Sequence, residues 1–226
     1  MAVLGRPGAL VSESLQALGV ELIAASSGEL QLRAANVDWL RAVLVAFGHR
    51  AHIEGETLHV PSADIDNVER AVRAALAPQA VLLDLDGVLV DIARRNHIAK
   101  VEDVQAIAAH YPLGVVTTCP RRVAESVLEQ HGFLKFVGVV VGSEDGPCKP
   151  DPFPVRYALQ QLGKQSAWML GDNPSDVTAA RGAGVVPFGI LPRGIGAESH
   201  MDRLRAAGAV RLVEGVGSLL TLLPPR

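Results

Sequence analysis

The chain has 226 residues, 49% of them hydrophobic and 20% charged, which is the composition of a folded globular protein and excludes disordered and collagen-like classes. Twenty-one Lys and Arg stand against 24 Asp and Glu, a net charge of −3, so nothing in the charge balance favours nucleic acid or another polyanion as partner. Cys119 and Cys148 are the only cysteines, too few for a disulfide framework or a paired-cysteine zinc site.

The apolar start Met1–Leu4 is broken by Gly5-Arg6-Pro7-Gly8, and nowhere do about 18 uncharged apolar residues run together. A cytoplasmic protein with no membrane partner is therefore expected. Charge is unevenly spread: residues 1–76 hold six Arg and no Lys against nine acids, whereas the rest is balanced. That break suggests two domains, 1–76 and 77–226.

Residues 9–76 read as helix (Ala9–Leu18), strand (Leu30–Arg33), helix (Asn36–Gly48), two strands (Arg50–Glu54, Thr57–Val60) joined at Gly55, and helix (Ile65–Leu76). Asn36 and Asp64 have the short polar side chains that cap helix N-termini. Helices alternating with a hairpin predict a small α+β domain. His49, His52 and His59 fall in the hairpin region at positions expected to be exposed, and Trp39 at an apolar position expected to be core.

After Ala77-Pro78-Gln79 the pattern changes. Apolar runs without alternation occur at Ala80–Leu85, Gly114–Thr117, Phe136–Val141, Ala167–Leu170, Val185–Ile190 and Val210–Val213, interleaved with helical stretches such as Arg121–His131, Pro154–Leu162 and Ser175–Gly182. Runs of this kind are strands buried on both faces, and the alternation predicts an α/β fold with a doubly wound parallel sheet. Chemistry in such a sheet belongs at the carboxyl ends of the strands.

Four of those ends carry polar residues. The first reads Asp84-Leu85-Asp86-Gly87, two carboxylates that follow an apolar run and suit a cation site. The second, Thr117-Thr118-Cys119-Pro120, sets hydroxyls before a helix N-terminus able to hold an anion. The third places Lys149 in the rigid loop Gly146–Pro152, and the fourth, Gly171–Asp176, offers Asp172 and Asp176 four residues apart across a turn.

In this order, the four tips resemble the motifs of the haloacid dehalogenase superfamily of phosphotransferases over residues 80 to about 222. The resemblance implies Asp84 as a nucleophile that forms an aspartyl-phosphate, Asp86 as general acid and base, and Thr117, Thr118 and Lys149 as groups that grip the phosphoryl oxygens. It implies Mg2+ as cofactor, held by Asp84, the backbone carbonyl of Asp86, Asp172 and Asp176. An acid at position 86 favours a phosphatase or phosphomutase over a dehalogenase. A small phosphorylated metabolite is the expected substrate.

Only 30 residues separate Asp86 from Thr117 and 31 separate Thr117 from Lys149, too few for an inserted cap domain. An open site results, to be covered by large substrate, by a second copy of the chain in a homodimer, or by residues 1–76. That first segment is similar to the small domain of histidinol-phosphate-type aminotransferases, although His59 stands where that family has a substrate-binding arginine. The similarity makes histidinol phosphate a candidate substrate, with Glu144 or Asp145 as carboxylates for its amine. Arg94, Arg95, Arg121 and Arg122 follow the first two motifs closely enough to be candidate substrate contacts. Cys119 and Cys148 flank Thr117 and Lys149, so the two thiols could lie close together. A regulatory or assembly protein that binds a biosynthetic enzyme through residues 1–76 is the alternative from a different class.

Overall fold

The computed structural model describes residues 13–26, 28–61, 64–191 and 196–225. The segment Met1–Pro7 and the first part of the predicted helix Ala9–Leu18 lie outside these residues. The chain divides into two units, Met1–Ala77 and Pro78–Arg226.

In the first unit, helical residues 13–17 (α1) lead into β1 (Val20–Ser26), β2 (Glu29–Ala34), α2 (Val37–Ala46), β3 (His52–Glu54), β4 (Thr57–Val60) and α3 (Ile65–Leu76). The strands form one antiparallel sheet in the order β1-β2-β4-β3. Asn36 caps α2 by accepting from the Trp39 N–H at 3.2 Å, and Asp64 caps α3 by accepting from Asn67 at 3.0 Å. Along α3 the buried residues Val68, Ala71, Val72 and Ala75 repeat at helical spacing and make one apolar stripe. Leu32, Leu40, Val43, Leu44 and Leu58 complete the core, each worth about 1.5–3 kcal/mol when fully buried.

Strand β1 has no counterpart in the sequence-based expectation. It is an edge strand whose register shifts between Leu22 and Ala24, which breaks the alternation that marks a half-buried strand. His59 also departs from expectation. Its side chain is only 14% exposed, stacks on His52 at 5.1 Å and places Nδ1 3.1 Å from Glu29. Trp39 is half-buried and donates Nε1–H to the Ala75 carbonyl.

The second unit holds a six-stranded parallel sheet in the order β12-β11-β10-β5-β8-β9. Its strands are β5 (Ala80–Leu83), β8 (Leu113–Val116), β9 (Val137–Val141), β10 (Ala167–Gly171), β11 (Val186–Ile190) and β12 (Arg211–Val213). Every residue of β5, β8, β10 and β11 is buried, which is why their sequences lack alternation. Helices α4 (Val101–Ala108), α5 (Arg121–Gln130), α6 (Phe153–Leu162), α7 (Pro174–Gly182), α8 (Ala197–Ala207) and α9 (Val216–Leu222) connect or follow the strands. A two-residue hairpin, β6 (Val90–Asp91) with β7 (Asn96–His97), projects after β5.

From β5 the chain winds outward through β8 and β9, then returns to the other side of β5 for β10, β11 and β12. The strand order therefore reverses between β5 and β10, and a crevice opens beyond their carboxyl ends. Between Asp86 and Thr117 lie the hairpin and α4, and between Thr117 and Lys149 lie α5, a 3-10 turn and β9.

Candidate phosphoryl-transfer site

The crevice places Asp84 and Asp176 around one buried cation, the Lys149 ammonium, with Asp172 beside them. Asp84 follows β5 and fixes its backbone by donating N–H to the Leu170 carbonyl of β10 at 3.0 Å. Lys149 reaches in from the loop before α6, only 3% of its side chain exposed, and ends 2.7 Å from Asp84 Oδ1 and 2.5 Å from Asp176 Oδ1. It also donates to the Val116 carbonyl at the tip of β8, 2.8 Å away. Two of the three N–H groups of the ammonium are thus hydrogen-bonded, to Asp84 and Val116, and the charge also lies against Asp176. Its charge acts on both carboxylates at the bottom of the crevice.

Asp176 sits in the first turn of α7, where its Oδ2 accepts from the Asn173 N–H at 3.0 Å. Gly171 makes this approach possible, since a Cβ there would lie 2.2 Å from the Asp176 Cβ. Asp172 stands opposite Gly87, and a Cβ at Gly87 would fall 2.2 Å from Asp172 Oδ2. Both loops are thus closed down onto carboxylates to a degree that side chains would prevent.

Asp84, Asp172 and Asp176 each offer an oxygen within 4.8 Å of the others. Three carboxylates beside one ammonium leave negative charge uncompensated. Burial, with the nearby Asp176 charge, pushes the Asp84 carboxyl up to about 7, against the opposing pull of Lys149. Burial and Asp176 likewise push Asp172 up to about 6. Lys149 moves upward as well, because attraction to Asp84 and Asp176 outweighs the desolvation of its ammonium. An all-oxygen donor set with excess negative charge fits a hard divalent cation such as Mg2+.

Asp86 is not part of this trio. Its side chain is exposed and its Oδ1 accepts from the Ile92 N–H at 2.8 Å, which ties it to the root of the hairpin. The expectation that names Asp86 as a ligand through its backbone carbonyl is compatible with that position, but its carboxylate is separate. Thr117 is buried beside the cluster, and its Oγ1 accepts from the Cys119 N–H at 3.2 Å. Thr118 is exposed at the same tip.

Several flanking candidates are engaged elsewhere. Glu144 accepts from the Arg121 backbone N–H at 2.9 Å, while Asp145 pairs with the Arg121 guanidinium and accepts from Gly142 at 2.8 Å. These three residues brace the β9 loop against α5, so Glu144 and Asp145 are not free to receive a substrate amine, nor is the Arg121 guanidinium free to receive its phosphate. Arg94 is paired with Asp91 at 2.7 Å. Cys119 and Cys148 are both free thiols, and Cys148 is turned toward the Ser143 carbonyl at 3.9 Å.

One residue absent from the sequence-based expectations touches the site. His200 on α8 donates Nε2–H to the Asp172 carbonyl at 2.6 Å, and its Nδ1 accepts from Arg203 at 2.9 Å. Bonds on both ring nitrogens fix the ring and hold the Asp172 loop. A lone histidine on a polar helix gave no pattern by which to find it.

Residues 96–190 match the sequence model of the haloacid dehalogenase-like hydrolase family, a span that includes Thr117, Lys149, Asp172 and Asp176 and begins after Asp84. Residues 78–226 have the α/β fold of haloacid dehalogenase-like hydrolases. A haloacid dehalogenase-like family hydrolase from Streptococcus pneumoniae shares its fold with a TM-score of 0.53 at 17% identity, over 64% of this chain and 97% of that one. A phosphoglycolate phosphatase from Vibrio cholerae is 38% identical over 85 residues, 36% of this chain and 38% of its own. A Phytophthora nicotianae protein named imidazoleglycerol-phosphate dehydratase is 31% identical over 204 residues, 84% of this chain and 42% of that protein. The chain thus spans less than half the length of these curated relatives. The haloacid dehalogenase-like assignment concerns the second unit; the comparisons lend no support to the similarity between residues 1–76 and the small domain of aminotransferases. Among the described residues no helix is long and apolar enough to cross a membrane.

Proposed function

We propose that this protein is a Mg2+-dependent phosphomonoester hydrolase that acts through an aspartyl-phosphate on a small phosphorylated metabolite. The observation that carries the reading is the buried Asp84–Lys149–Asp176 cluster with Asp172 beside it, at the point where the strand order reverses. When bound, Mg2+ supplies positive charge that offsets the repulsion between an anionic nucleophile and an anionic phosphate.

The chain's own residues supply the rest. Asp84 Oδ1 is held by Lys149, so the carboxylate presents its other oxygen to phosphorus in a fixed direction. Asp86 has one oxygen tied to Ile92 and the other available to give a proton to the leaving alkoxide and take one from the attacking water. Thr117 and Thr118 offer hydroxyls to the phosphoryl oxygens that do not transfer. Asp172 and Asp84 would hold the metal, with Asp176 behind them.

The match to the Phytophthora nicotianae protein is long enough to include part of both units, and that protein's name concerns imidazoleglycerol phosphate. Imidazole-bearing phosphate esters, histidinol phosphate among them, therefore join phosphoglycolate in the panel of substrates to test. Release of inorganic phosphate from that panel, with Mg2+ and with EDTA, decides the matter. Metal-dependent release is expected. Activity unaffected by EDTA would sink the metal assignment, and isomerised product without free phosphate would make the protein a phosphomutase.

A further inference from the structure

A cavity of about 400 Å³ opens beside the aspartate cluster, on the side of β11 and β12, with Asp172 and Gly87 in its wall. At about 30 Å³ per water, it has room for roughly a dozen non-hydrogen atoms. Ile98, Ile190 and Leu191 give it apolar surface. Its described ionisable wall residues are Arg94, His97, Asp172, His200 and Glu214.

Most of these are already engaged. Arg94 is paired with Asp91, and Asp172 belongs to the carboxylate trio. His200 is bonded at both ring nitrogens, with Arg203 occupied in one of those bonds. His97 packs edge-on against His131 at 4.5 Å and lies 5.4 Å from Phe133. Glu214, just after β12, has no hydrogen bond or ion pair with any described residue. Among the described wall residues Glu214 is a carboxylate left without a partner, and it shares the cavity wall with Asp172.

We infer that this cavity takes the organic half of the substrate and that Glu214 makes it select a compact, cationic one, an amine- or imidazole-bearing phosphomonoester. The inference rests on the phosphohydrolase reading above and adds a substrate class and a specificity residue to it. Glu214 replaces Glu144 and Asp145, which Arg121 holds, as the carboxylate available to such a group. One charge-assisted hydrogen bond in a half-open pocket corresponds to about tenfold in affinity.

Three esters of matched size test this: 2-aminoethyl phosphate, ethyl phosphate and phosphoglycolate, which carry a cation, no charge and an anion beyond the phosphate. Their binding to the Asp84→Asn protein with Mg2+ is measured by calorimetric titration, and the same ranking is read from the shift each causes in the unfolding temperature of the unchanged protein. The aminoethyl ester is expected to bind about tenfold more tightly than ethyl phosphate, with phosphoglycolate weakest, and Glu214→Gln is expected to erase the first difference. Equal binding of the three, preference for phosphoglycolate, absence of binding by all, or a cation preference that survives Glu214→Gln would each overturn the assignment. Phosphate release by the unchanged protein is scored separately, so a hydrolase without this selectivity is told apart from a protein that does not hydrolyse at all.

Discussion

Lys149 Nζ and Asp84 Oδ1 are 2.7 Å apart where neither side chain is more than 10% exposed. Desolvating such a pair costs free energy that the attraction repays only with further compensation, which here comes from a hydrogen bond to Val116 and the charge of Asp176. Lys149→Met would leave two buried carboxylates without a cation, and a loss of about 3–5 kcal/mol in unfolding free energy is expected at pH 8. The loss should be smaller at pH 5, where the carboxyls can take up protons. Denaturant titrations at both values check this, and an equal loss would show that the charges are not what the lysine stabilises.

The same imbalance gives the metal-free protein a pH dependence. Asp84 is pushed up to about 7 and Asp172 to about 6, so between pH 4 and 7 the folded state binds protons that the unfolded chain has released. The stability tied to these groups is complete below about pH 4 and falls as pH rises through 6 and 7. A cation that binds the ionised trio reverses the trend. The rise in unfolding temperature caused by Mg2+ is therefore expected to be larger at pH 8 than at pH 5, and a rise independent of pH would argue that Mg2+ binds elsewhere.

The strand tips were legible because a buried parallel strand leaves an unbroken apolar run, so a carboxylate or hydroxyl directly after it stands out. Asp84, Thr117 and Asp172 all announce themselves that way. What the sequence could not show is direction. Lys149 reads as a phosphate contact, and nothing in the sequence signals that it also pairs with Asp84 and Asp176 and donates to the Val116 carbonyl. Glu144 and Asp145 read as free acids until the fold brings Arg121 to them. The β6–β7 hairpin is two residues per strand, too short for any period, and α8 buries only Leu204, so His200 and its bond to the Asp172 loop had no apolar stripe to mark them.

Asp84→Asn separates chemistry from stability. The amide can still accept from Lys149, but it cannot form the acyl phosphate, and phosphate release should fall by at least about 10³-fold. Removing one of the crowded negative charges also ends the repulsion with Asp176. The variant is thus expected to unfold at or above the temperature of the unchanged protein at pH 8 without metal. A variant that loses stability there would show that the Asp84 charge is needed to balance Lys149.

Gly87 and Gly132 offer a paired test of how the first loop closes on the metal ligands. Both have positive φ, +85° and +74°, so alanine strains either by about 1–2 kcal/mol. Only at Gly87 does the new Cβ meet anything, at 2.2 Å from Asp172 Oδ2, whereas nothing lies within 4 Å at Gly132. To relieve that overlap, Asp172 must leave its place beside Asp84 and Asp176. Gly87→Ala is therefore expected to weaken Mg2+ binding by about tenfold or more, as one charge-assisted ligand is displaced. Gly132→Ala should lose similar stability and bind Mg2+ as before. Titration of Mg2+ against intrinsic fluorescence or heat for the two variants checks the difference. Equal weakening would mean that backbone strain, and not the contact with Asp172, transmits the effect.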